Sequence, residues 1–344
     1  MSRSGKIAWK KVLRWLPGVV ISAIAIYAVI RFSHMQDISE ALKSVRLSFI
    51  LVMLALSVLS LAVRAIAWRT ILGRQVSFPA AFFGVSEGYF LNNLFPLRLG
   101  ELGRALSVGR SSGLGILHVL STIIIERAFD IVYAAGIVLL TLPLVVGADW
   151  IKPIAMIAFA VVLLGLLVLY LVANNREKFQ SWISKRNFRS KFITERLLPQ
   201  VTKIIDGMSA LVKPSQFLLS VFWIGMTWVV WMVMYYYTVT QLAANPPLWW
   251  GLFIAGLLAL GVAVPSAPAA LGVYEGSLVG ALAILGVSTG SALAYAVILH
   301  LIQIVVTAIF GLWGLIREGQ NLTTLFSTLS NQKKVEELES NEGL

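Results

Sequence analysis

Long apolar runs separated by short polar or basic segments dominate the chain. Runs at about residues 16–32, 47–68, 115–146, 154–172, 216–240 and 292–316 are long enough for helices to cross an apolar layer about 30 Å thick at 1.5 Å per residue. None shows the dyad alternation of an outer-membrane barrel strand. Two further apolar stretches are interrupted: 78–95 runs into "NNLFPLRLGELGR", and 248–264 into "PSAPAALGVYEG". The pattern predicts an all-α, polytopic transmembrane bundle.

Composition agrees, because 58% of residues are hydrophobic, 13% are charged and mean hydropathy is +0.84. A soluble fold could not bury that much apolar surface. The net charge of +12 gives topology through the excess of Lys and Arg on cytoplasmic segments. Arg3, Lys6, Lys10, Lys11 and Arg14 precede the first run, which has no small-residue cleavage site after it and reads as a retained helix with a cytoplasmic N-terminus. Arg64, Arg69 and Arg74 close the second run, and residues 174–214 carry nine basic residues against three acidic ones.

Three apolar runs lie between those two cytoplasmic anchors. An odd number of crossings cannot join points on one side, so one run must turn back. Arg98, Arg104 and Arg110 follow the run at 78–95, which makes 78–110 a re-entrant hairpin entering from the cytoplasm. The same parity makes 248–287 a second hairpin, entering from outside. The expectation is about six full spans plus two re-entrant helical hairpins in an inner, cytoplasmic membrane, with both termini cytoplasmic. Residues 1–320 would form a single membrane domain, with 176–214 a basic amphipathic connector on the membrane surface and 321–344 a polar cytoplasmic tail.

Irregular backbone is tolerated at membrane depth only where it is buried in protein or lines a wet cavity. Pro96 breaks the first hairpin and Gly100 permits close approach. The second hairpin repeats the order of proline, glycine and glutamate with Pro265 and Pro268, Gly272 and Glu275. Opposite sides of insertion would make the halves an inverted-topology repeat, an arrangement that places sites at mid-membrane. The aromatic run "WVVWMVMYYY" with Trp249 and Trp250 suits an interfacial belt.

The charges inside these segments require partners. "ERAFD" begins eleven residues after Gly115, roughly 16 Å along the helix and near mid-core. Glu126 and Asp130 share a face, and Arg127 reaches Asp130 at i+3. Each charge costs several kcal/mol there unless paired or hydrated. Arg98, Glu101 and Arg104 stand at intervals of three and would line one side of a helical return arm. Pairing the two sets gives a buried ionic cluster, which could lock the hairpin or leave an arginine for a phosphate, whose oxygens match the guanidinium donors. Asn92 and Asn93 could contact a headgroup or satisfy backbone groups at the turn. Glu87 needs a partner or a proton. Tyr274 and Glu275 hold the matching place in the second hairpin, and His300 lies in the last span.

Without cysteine there is no disulfide, thiol catalysis or thiolate site. His34, His118 and His300 lack ligand spacing, so no metal, cofactor or catalytic residue is expected. No G-x-x-x-x-G-K-[ST] loop or G-x-S-x-G elbow occurs, so neither a P-loop nucleotide site nor a serine-hydrolase elbow is expected.

The succession "NNLFPLRLGELGR", "IIIERAFDIVY", "PSAPAALGVYEG" and "LHLIQIVVTAIFGLWG" resembles the lysylphosphatidylglycerol synthase transmembrane region family of flippase-like membrane proteins. The motif carrying the resemblance comprises Asn92, Pro96, Arg98, Gly100, Glu101, Arg104, Glu126, Arg127 and Asp130. The resemblance implies a transporter moving a phospholipid or modified phospholipid headgroup between leaflets, with membrane phospholipids as partners. The soluble aminoacyl-phospholipid synthase domain of the resistance proteins has no counterpart here, so synthase activity by this chain alone is not expected. Two departures fall in the second half: Pro268, Ala269 and Ala270 stand where relatives often have a Pro-Gly-Gly turn, and His300 stands near a frequent arginine. The substrate-binding candidates are Asn92, Asn93, Arg98, Glu101, Arg104, Glu126, Arg127, Asp130, Tyr274 and Glu275. The alternatives are a membrane-embedded lipid-modifying enzyme or lipid-linked sugar transferase, and a non-catalytic partner of a separate lipid-modifying enzyme. Homo-oligomers fit any of these, and nucleic acid fits none.

Overall fold

A computed structural model describes residues 45–95, 98–147, 213–264 and 266–318, with scattered positions between 20 and 43 and between 153 and 181. Most of the expected span at 16–32, of the span at 154–172 and of the connector at 176–214, and all of the tail at 321–344, lie outside the described residues. The described part is an all-α membrane bundle. Its helices are α1 (Leu47–Ile71), α2 (Phe78–Leu94), α3 (Gly100–Ser111), α4 (Ile116–Val146), α5 (Pro214–Val239), α6 (Trp249–Ala263), α7 (Val273–Ile284) and α8 (Thr289–Arg317).

Four of these helices, α1, α4, α5 and α8, are long and apolar enough to cross a membrane, and they coincide with four of the runs read from the sequence. The outer face of α8 shows what they meet. Leu301, Val305, Ile309, Leu312 and Ile316 are exposed at intervals of three and four residues, an apolar stripe suited to lipid chains.

The other four helices pair as hairpins of α2 with α3 and α6 with α7. At 17, 12, 15 and 12 residues their arms measure about 18 to 26 Å, short of a full crossing. Close approach of α2 to α3 depends on Gly100, where a Cβ would meet the Gly88 carbonyl oxygen at 2.0 Å. Asn92 Oδ1 accepts the Gly100 amide at 2.8 Å and closes the tip. In the second hairpin Glu275 Oε2 accepts the Gly272 amide at 2.7 Å, capping α7. Pro96 and Pro265 lie outside the described residues.

The two tips meet. Arg98 donates from Nη2 to the Val262 carbonyl at 2.7 Å, and the short 3-10 turn Pro268–Ala270 packs against α2. Around this junction α8 lies along both α2 and α7, while α1 packs against α2, α5 and α8. The main apolar core gathers Phe49, Met53, Trp68, Leu72, Leu278 and Tyr295 among its buried members, and a smaller one gathers Ile125, Phe129, Ile224 and Trp228. Trp228 stacks on Tyr133 at 6.1 Å and is 2% exposed, so this member of the aromatic run belongs to the core and not to an interfacial belt.

Candidate functional site

The charged residues of α1, α3 and α4 converge in two layers. The inner layer is built on Glu126, whose carboxylate is wholly buried. It pairs with Arg64 at 2.5 Å, Arg104 at 2.9 Å and Arg127 at 2.8 Å. Arg64 also grips Asp130 with both terminal nitrogens, one of them at 2.7 Å. The Arg104 guanidinium lies 3.5 Å over the Trp68 ring, and Trp68 donates to Thr122 Oγ1 at 3.1 Å. One carboxylate facing three guanidinium groups ties three helices together at a depth where each charge alone would be costly.

The outer layer is Arg127, Glu101 and Asp130. Arg127 lies 3.3 Å from Asp130 and 3.6 Å from Glu101. Their side chains are 24%, 27% and 14% exposed, against 1% for Arg64 and 0% for Glu126. The inner pairs are sealed, and the outer ones open to their surroundings.

Arg98 departs from the expected arrangement. It adopts φ 57° ahead of the first turn of α3, so it does not share a helix face with Glu101 and Arg104. Its guanidinium turns to the other hairpin and Val262, and it forms no ion pair among the described residues. Four arginines thus face three carboxylates in this neighbourhood, leaving one positive formal charge with Arg98 bound to a neutral carbonyl.

In the sequence Arg64 reads only as a topology marker. It lies seven residues before the end of α1 and is 1% exposed. At that depth it requires a carboxylate for the same reason that Glu126 requires an arginine, but the depth follows from the helix, which runs past the end of the apolar run at 47–68.

The amides of Asn92 and Asn93 are engaged within the fold. Asn92 closes the tip as described, and Asn93 Nδ2 donates to Thr307 Oγ1 of α8 at 2.9 Å. Tyr274 and Glu275 form a separate group: Glu275 Oε1 lies 2.6 Å from His300 Nδ1, and the Tyr274 ring stacks on the His300 ring at 4.3 Å. Neither bonds to the arginine cluster among the described residues. No group of three or more metal-ligating side chains occurs among the described residues.

Opposed helical hairpins with a buried ionic cluster beside their meeting point define a polytopic helical membrane protein with a polar interior. The sequence matches the lysylphosphatidylglycerol synthase TM region family over residues 15–311, and the chain belongs to that family. It is also similar to a UPF0104 membrane protein of Methanothermobacter thermautotrophicus, at 23% identity over 326 residues covering 88% of this chain and 92% of that protein.

Proposed function

We propose that the chain moves a phospholipid or modified phospholipid headgroup between leaflets, with Arg98 and Arg127 receiving the phosphate at the hairpin junction. The observation that carries this reading is the division of the cluster. Arg64 and Arg104 are sealed against carboxylates or an aromatic face, whereas Arg127 is partly exposed and Arg98, among the described residues, bonds to a neutral carbonyl and to no carboxylate. A phosphate offers these two guanidinium groups charge-assisted bonds that are stronger than a bond to a neutral carbonyl. Glu101 and Asp130, on the same open side, suit a cationic headgroup group such as an ammonium. The acyl chains stay in lipid, against apolar faces like that of α8.

Reconstitution into liposomes with labelled phospholipids tests this. Loss of a charge-assisted hydrogen bond worth about 1.5–3 kcal/mol lowers binding about ten- to hundredfold, so Arg98→Ala slows leaflet exchange by at least about tenfold at normal protein levels. Exchange no faster than in protein-free vesicles, across several lipid classes, defeats the transport reading. Wild-type exchange in Arg98→Ala and Arg127→Ala defeats the site.

A further inference from the structure

Glu87 on α2 lies outside the arginine cluster, towards the end of the bundle marked by Arg69, Arg110 and Arg317. Its carboxyl is wholly buried. Oε1 has no hydrogen-bond partner among the described residues and rests against Gly314 of α8, where a Cβ would come within 2.4 Å of it. Oε2 lies 2.6 Å from Ser107 Oγ of α3. The same hydroxyl oxygen touches Glu318 Oε2, just beyond α8.

A hydroxyl has one hydrogen to donate. Ser107 can therefore serve one of the two carboxyl groups, and its contact with the other requires a carboxyl proton. Glu318 is half-buried at a helix end, whereas Glu87 has no access to solvent. An ionised Glu87 with a single hydrogen bond would bear a desolvation cost of several kcal/mol. The consistent assignment has Glu87 Oε2–H donating to Ser107 Oγ, and the Ser107 hydrogen donated to Glu318.

The charged groups on neighbouring helices do not alter this. On α3, Arg104 reaches Glu126, Glu101 faces Arg127 and Arg110 sits exposed in the last turn. On α8, Arg317 covers the Phe83 ring and His300 pairs with Glu275. On α1, Arg64 is held by Glu126 and Asp130, and Arg69 donates to the Val76 carbonyl. Among the described residues none is within ion-pair distance of Glu87.

We propose that Glu87 is a proton-binding site, and that Ser107 and Glu318 form the relay through which its proton exchanges with water at the basic end of the bundle. The site stands on its own contacts and does not rest on the transport reading.

Infrared spectroscopy of the reconstituted protein tests it without any measurement of lipid movement. The wild type shows the carbonyl band of a protonated carboxyl at neutral pH, and Glu87→Gln, near-isosteric and able to donate to Ser107, lacks it. Ser107→Ala keeps the band but exchanges it into deuterated solvent at least about tenfold more slowly. A band equal in wild type and Glu87→Gln, or no band in the wild type, overturns the proton site, and unchanged exchange in Ser107→Ala overturns the relay. The folded chain would hold one proton more than the unfolded chain, so stability falls as pH rises from mildly acidic to mildly alkaline. That fall disappears in Glu87→Gln, and a fall of the same size in the variant also overturns the site.

Discussion

At the scale of single residues, the cluster separates groups that hold the bundle from groups left open. Removing one member of a sealed ion pair leaves an uncompensated charge, which costs about 3–5 kcal/mol. Glu126→Gln should therefore lower the midpoint of thermal unfolding in detergent sharply, because Arg64, Arg104 and Arg127 all converge on it. Arg104→Lys keeps the charge but loses the planar stack on Trp68 and the forked reach to Glu126, a smaller loss of about 1–2 kcal/mol. A midpoint in Glu126→Gln equal to that of the wild type would show that the inner layer is not structural. Most of this cluster was legible in the sequence, because the cost of charge at depth demands pairing and the helical spacing of Glu126, Arg127 and Asp130 gives its geometry. Arg64 was not, since a basic residue near the end of an apolar run also marks the cytoplasmic boundary. The direction of Arg98 was not legible either, because it follows from one left-handed backbone position.

At the scale of helices, the hairpins are limited by backbone approach and turn conformation. Gly100→Ala places a methyl 2.0 Å from the Gly88 carbonyl and forces α3 away from α2, so the folded yield of that variant should collapse. The second tip carries the opposite imbalance: Ala269 and Ala270 sit at φ 57° and 53°, a region that costs a residue with a Cβ roughly 1–2 kcal/mol. Ala270→Gly should raise the unfolding midpoint, partly offset by the larger entropy of the unfolded glycine, and a lower midpoint would contradict the strain. The departure from a Pro-Gly-Gly turn was visible in the sequence, but its meaning depends on dihedral angles that no residue pattern specifies. The hairpins themselves were accessible from charge parity and from the glycine, proline and glutamate at each tip.

For the whole molecule, topology is the measurable property, and a chain free of cysteine is suited to it. Gln75, Ser112 and Asn245 are exposed in the connections after α1, α3 and α5. An impermeant thiol reagent should label Gln75→Cys and Ser112→Cys from one side and Asn245→Cys from the other. Labelling of Ser112→Cys from the side opposite Gln75→Cys would turn the first hairpin into a single crossing. The contact between Arg98 and the Val262 carbonyl has a thermodynamic consequence at this scale. An anion that takes the Arg98 donor removes the bond joining the two hairpins, so occupancy and separation are linked, and the linkage is reciprocal. Any substitution or lipid environment that pulls the tips apart must raise the affinity for that anion by the same factor by which the anion favours their parting.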